Sequence, residues 1–213
     1  DVVDIDGAVD MASTLQVDGS ITSSAPATIT TANNLDTLSL ISTDADANAG
    51  PNLRFYRNSG SPADNDLAAQ IDFEGRNDNS QDVVYGSIQN YILDASDGTE
   101  DGELTFYTMV AGTQRNRMDI TNTQTVFNES SVDVDFRVES SGNANMLVVD
   151  GGADAVGIGT GSPDNKLHVY KGDSGHSWSF DGGDCFILEN SDSVSLNIAT
   201  PNSNTGNILF SDA

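Results

Sequence analysis

Carboxylates are the most abundant charged groups in this 213-residue chain: 33 Asp and Glu stand against 8 Lys and Arg, a formal net charge of -25. Glycoside hydrolysis needs only two carboxyl groups, set roughly 5–10 Å apart, and Glu74, Glu100 and Glu103 are the candidates for such a pair. Among so many acids some pair falls close by numbers alone, so proximity by itself carries no weight. Asp44-Ala45-Asp46-Ala47-Asn48-Ala49-Gly50 spaces its oxygens as a calcium loop does, but Gly stands seventh where the sixth place needs it, and Phe55 occupies the place of the bidentate Glu. An acidic surface loop is the expected reading, and no metal ligand is assigned. The only histidines are His168 and His176. Beside Lys166 and Tyr170, His168 is expected to point outward from its strand; His176 lies in a Gly/Ser-rich turn, and neither has metal-ligand spacing or a catalytic partner in the sequence. Gly157-Ile158-Gly159-Thr160-Gly161-Ser162 has the glycines of a phosphate loop, yet Pro163 and the strand-like Lys166–Tyr170 follow where a helix N-terminus is required. A tight turn is expected there. Cys185 is the single cysteine, which rules out an intrachain disulfide framework and reads as a small buried hydrophobe. Trp178 and the tyrosines have faces for sugars, although aromatic residues make up only 7% of the chain. No catalytic, cofactor-binding or metal residue is assigned, no cofactor is expected, and the chain is read as a non-enzyme.

The charge also narrows the partners. A surface this acidic repels phosphate backbones and anionic lipid, so neither nucleic acid nor membrane insertion is expected. No apolar run reaches the roughly 18 residues of a helical membrane span. The acids are mostly short: 27 Asp against 6 Glu. Asp disfavours helix interiors and bonds its own backbone in turns, so tight turns are expected rather than charged helical faces. Leu, Ile, Val and Phe number 49, enough for a thin core.

Period-two alternation predicts half-buried strands throughout. In Val132-Asp133-Val134-Asp135-Phe136-Arg137-Val138-Glu139 one face is apolar and the other charged. Shorter instances are Val3/Ile5, Leu53/Phe55, Ile71/Phe73, Leu104/Phe106, Leu167/Val169 and Val194/Leu196/Ile198. Asp-Gly pairs at 6–7, 18–19, 97–98, 101–102, 150–151 and 181–182 offer hairpin turns. Only Ala63–Gln70, behind Pro62, approaches a helical turn. The pattern divides the chain into short strands over 1–31, a globular β-domain over 32–127 with most of the aromatics and Arg, short strands and Gly-rich turns over 128–170, and the start of a second β-domain over 171–213. The last loosely echoes Leu38–Phe55. Opening on Asp1 in mid-pattern, the chain reads as a piece of something longer.

Val156-Gly157-Ile158-Gly159-Thr160, then Ser162-Pro163 and Lys166-Leu167-His168-Val169, resembles the VGIGT-x-SP-x-x-KLHV signature of bacteriophage tail-fibre shafts. Phe136–Ser140 and Leu147–Asp150 resemble the segments that lead into it, and residues 53–120, with Ala95–Gly102 and Arg117–Ile120, are similar to the β-domain between such repeats. The resemblance implies an all-β, elongated, trimeric fibre with β-helix- or β-prism-like shaft repeats and interspersed β-sandwich-like domains. It implies a structural part of a virion, extracellular, that positions a receptor-binding tip for host attachment. Its partners would be two further copies of itself, other tail or baseplate proteins, and a host glycan or receptor. Many members end in a self-cleaving chaperone domain; neither that role nor autoproteolysis is carried over. Alternatives of other classes are a glycan-binding adhesin stalk and a polysaccharide-depolymerising tailspike.

Overall fold

In a computed structural model, which describes residues 15–175, 186–196 and 208, the described residues form strands and no helix. The all-β expectation therefore holds for the described residues. The first sheet is β1 (Asp66–Arg76), β2 (Asp82–Asp94), β3 (Asp101–Val110), β4 (Thr113–Ile120) and β5 (Thr125–Phe127), paired antiparallel in chain order. The second is β6 (Phe136–Ser140), β7 (Asn143–Asp150), β8 (Ala155–Ile158), β9 (Leu167–Tyr170) and β10 (Phe186–Glu189), also in chain order. There β6, β7 and β8 pair antiparallel, whereas β8, β9 and β10 run parallel. Both sheets belong to the unit Phe55–Ala213; Asp1–Arg54 forms a separate unit. Residues 15–54 of that unit contain no strand, and every one of them is exposed.

Register sorts the faces of the first sheet. Ile71, Ile88, Phe106, Met118 and Phe127 stand opposite one another across all five strands. Ala69, Asn90, Leu104, Ile120 and Thr125 form the adjacent row on the same face. The other face is polar, with Gln70, Gln89, Thr105 and Asp119 in one row and Asp72, Ser87, Tyr107 and Asn116 in the next. Its polar groups bond among themselves: Tyr91 Oη donates to Gln89 Oε1 (2.7 Å), Gln89 Nε2 to Ser87 Oγ (3.3 Å), and Thr105 Oγ1 to Glu103 Oε1 (2.8 Å). Thr105 is fully buried, and Asp119 is buried with its Oδ1 lacking any hydrogen-bond partner in the protein. Burial, followed by Tyr91, Asp119 and Glu103, pushes the Tyr107 hydroxyl above its usual pKa. Buried apolar side chains are few among the described residues: Val148, Ala155 and Ile187, all in the second sheet.

Turn chemistry departs from the Asp-Gly expectation. Asp97-Gly98 does turn between β2 and β3, with Gly98 at φ 87°. Asp101-Gly102, however, lies inside β3, and Asp18-Gly19 is an exposed bend joining no strands. The two-residue hairpin belongs to Ala111-Gly112, both at positive φ (46° and 79°), as the twist of the flanking strands demands. After β7, Asp150 Oδ1 accepts from Gly152 N (3.0 Å) and Ala153 N (2.8 Å), and the positive φ falls on Asp154 at 52°. The pairs at 6–7 and 181–182 lie outside the described residues.

The expected helical turn at 63–70 is replaced by a tight turn and strand β1. Asp66 carboxylate accepts from Ala63 N (3.0 Å) and pairs with Arg57 (3.1 Å), while Asp66 N donates to Ala63 O (3.2 Å), so the chain is turned into pairing with β2 before a helix can propagate. Of the alternating pairs, Ile71/Phe73, Leu104/Phe106 and Leu167/Val169 lie in strands; Leu53/Phe55 and Val194/Leu196 do not, and Val3/Ile5 and Ile198 lie outside the described residues. The 132–139 alternation is real in burial up to Phe136, but only Phe136 onward is strand, and Val138 is exposed. Phe136 meets Phe127 with ring centroids 4.8 Å apart, which joins the end of the first sheet to the start of the second.

Gly159, at φ 85°, ends β8 where any Cβ would collide with Tyr170 O. Replacing it by Ala should cost about 2 kcal/mol or more, because strained backbone and a backbone clash add. Gly19→Ala, with open space around it, should stay within about 0.5 kcal/mol of the parent. Thermal denaturation of the two variants checks this; equal stabilities would contradict the turn geometry.

Candidate functional site

Strand β9 lies between β8 and β10, with His168 opposite Gly157 on one side and Ile187 on the other. Gly157 brings no side chain to that register position. His168 is buried, 2% exposed, contrary to the outward orientation expected from the sequence. The alternation correctly puts it on one face with Tyr170, but the turns at 162–166 and 171–175 cover that face. Backbone Asp164 N donates to His168 Nδ1 (3.3 Å), and the His168 and Tyr170 rings meet edge to face at 5.7 Å.

Glu189 closes the cluster from β10. Its Oε2 lies 3.1 Å from His168 Nε2, and its Oε1 accepts from Ser174 N (2.9 Å) and Ser174 Oγ (2.7 Å). Because a backbone N–H can only donate, His168 Nδ1 is the acceptor, so Nε2 carries the proton and donates to Glu189. The neutral imidazole is thus satisfied at both nitrogens. Ser174 backbone, Ser174 hydroxyl and then His168 hold the Glu189 carboxyl below its ordinary pKa, against the opposing effect of burial.

Among the described residues Asp164, His168 and Glu189 are the one set of three metal-ligand types within reach of each other, with candidate atoms inside 4.8 Å. Asp164 Oδ2 faces Nδ1 (3.6 Å), however, whereas Glu189 faces Nε2 (3.1 Å). The two carboxylates address opposite ring nitrogens, and His168 Nδ1, His168 Nε2 and both Glu189 oxygens are engaged in hydrogen bonds within the protein. Ser174 Oγ is directed to Glu189 rather than to the imidazole, so no hydroxyl–imidazole couple forms here. The arrangement is a hydrogen-bonded clasp that ties β9, β10 and two turns together. Sequence reading missed it because its halves are 21 residues apart and meet only through parallel pairing.

The other candidates fall apart in space or act locally. Tyr91 stands opposite both Glu103 and Leu67, and Glu74 lies seven residues along β1 from Leu67. At about 3.3 Å per residue, Glu74 and Glu103 are roughly 20 Å apart or more. Glu100 accepts from Gly98 N (3.1 Å) within the β2–β3 turn. In the 44–50 loop Asp44 Oδ1 accepts from Asp46 N (3.4 Å) and Asp46 Oδ1 from Asn48 N (2.8 Å), so each carboxylate caps its own turn, and Asn48 lowers the Asp46 pKa. Gly157–Ser162 leads into β9 and not into a helix. His176, Trp178 and Cys185 lie outside the described residues. No described helix is long and apolar enough to cross a membrane.

A lowered folded-state pKa stabilises the protein above the unfolded value, near 4.5 for Glu189, and this contribution is lost as pH falls through the folded value. The melting temperature of the parent should therefore drop below about pH 4.5 relative to its own neutral value by more than that of Glu189→Gln. Parallel curves for the two proteins across the acid range would show that the clasp does not couple to pH.

No protein-family model, curated protein or solved structure matches this chain.

Proposed function

We propose that the chain is a length of shaft from a trimeric, extracellular, virion-borne fibre, which spaces a receptor-binding tip from the particle for host attachment. The observation that carries the reading is the lack of cover for its apolar residues. In the 15–54 unit Leu15, Ile21, Leu35, Leu38, Ile41 and Leu53 are 60–81% exposed. Isolated thin β-structure is marginal in water and leaves unpaired edges open to other chains. Further copies of the same chain supply both the missing apolar contacts and the missing edge partners. The resemblance of Val156–Val169 to shaft repeats supports the same reading, as does the acidic surface, which keeps assembled rods from associating sideways. The shaft acts mechanically. It would bind other tail or baseplate proteins at its ends, and any host glycan or receptor would meet the tip.

Light scattering on the purified chain should give three chain masses, constant on dilution into the low micromolar range. A compact monomer whose 15–54 region resists protease would overturn the shaft reading. With a net charge of -25 on each chain, assembly is opposed by repulsion, so added NaCl should raise the melting temperature of the assembly. A melting temperature indifferent to salt would show the carboxylates too dispersed to oppose assembly.

A further inference from the structure

The first sheet is inside out for a lone chain. Its polar face hides Thr105, Ser87 and Asp119, while its apolar face leaves Phe73 57%, Phe127 49% and Ile71 37% exposed. Strands of the second sheet do not pack broadly across that face, since the strong strand contacts all lie within one sheet or the other. A sheet needs a second layer over its apolar side; here Phe55 borders Ala69, Ile71, Ile88 and Leu104 and Phe136 meets Phe127, while Phe73 stays the most exposed of the face.

We propose that this face, centred on the Ile71–Ile88–Phe106–Met118–Phe127 row, is where copies of the chain meet around the fibre axis. The inference rests on the shaft reading above and assigns its contact surface. Charge selects the occupant. The central row, the Ala69–Thr125 row beside it, and the Phe73–Gly86–Thr108–Arg115 row on its other side contain none of the chain's 33 carboxylates, and Arg115 is their one charge. For a chain carrying -25, such a patch is a place where a second copy can approach without bringing carboxylates together, whereas a cationic foreign partner would be drawn to the acidic surfaces instead. The face is self-complementary in kind: branched and aromatic side chains, with a shallow hollow of about 130 Å³ bordered by Phe55, Ala69, Ile71, Ile88 and Leu104 to receive a neighbour's side chain. Five strands about 4.8 Å apart and three rows about 7 Å apart cover roughly 500 Å². That is more than half of the ~800 Å² each partner contributes to a stable interface.

The test pairs Phe73→Asp with Asn79→Asp, which places the same charge in the exposed turn between β1 and β2. Phe73→Asp should raise the concentration for half-dissociation at least tenfold, with Asn79→Asp unchanged and both keeping the β-sheet circular dichroism of the parent. Met118, in the central row, gives a readout on the unaltered protein. Its oxidation by peroxide should be at least tenfold slower in the assembly than that of a free methionine, and it should speed up on dissociation. Should Phe73→Asp fail to fold, the Met118 rate decides alone. A trimer with normal Phe73→Asp assembly, or with Met118 oxidised as fast as free methionine, sinks this face as the interface and leaves the shaft reading standing; a parent chain that is monomeric sinks both.

Discussion

Thin β-structure has a fixed geometric limit: one layer of sheet has two faces, and each needs something apolar or wet against it. In this protein the limit governs nearly everything else. The polar face of the first sheet is closed by its own long side chains, with Tyr91, Gln89 and Ser87 bonded along β2 and Thr105 bonded to Glu103 along β3. The apolar face has no such recourse, because aliphatic groups cannot satisfy one another without being removed from water. Among the described residues, the apolar side chains shielded within one chain form a short strip around Val148, Ala155 and Ile187.

Where the chain does hold itself together, it uses polar closure. The Asp164–His168–Glu189–Ser174 clasp is the most enclosed instance, and its logic depends on full satisfaction: both imidazole nitrogens and both carboxylate oxygens of Glu189 have partners. A half-satisfied version would leave a buried charge and cost more than an apolar replacement. Asp119 presents the opposite case, a buried carboxylate with one unpartnered oxygen beside Tyr107.

Strand content was legible because alternation is a local property, and Ile71/Phe73 and Leu104/Phe106 carry it on single strands. His168 shows where legibility stops. Its parity along β9 followed from sequence, but whether its face meets water depends on turns that return from both sides, which no local pattern encodes. Turn chemistry failed for a related reason. Asp-Gly permits a tight hairpin without requiring one, and at 101–102 the pairing available from β2 absorbed it into β3. Ala111-Gly112 shows that a single glycine suffices when the strands on either side fix the register.

The strand order has a consequence for how such a molecule comes into being. In both sheets every strand pairs with its sequence neighbour, with no strand inserted between earlier ones. Contacts are therefore short in sequence, the loop-closure entropy for each addition is small, and folding is correspondingly fast for a β-protein. Each strand can dock as it leaves the ribosome, edge onto edge, without waiting for the C-terminal half. In the proposed fibre, the concentration-dependent event would then be the meeting of chains that already carry their sheets.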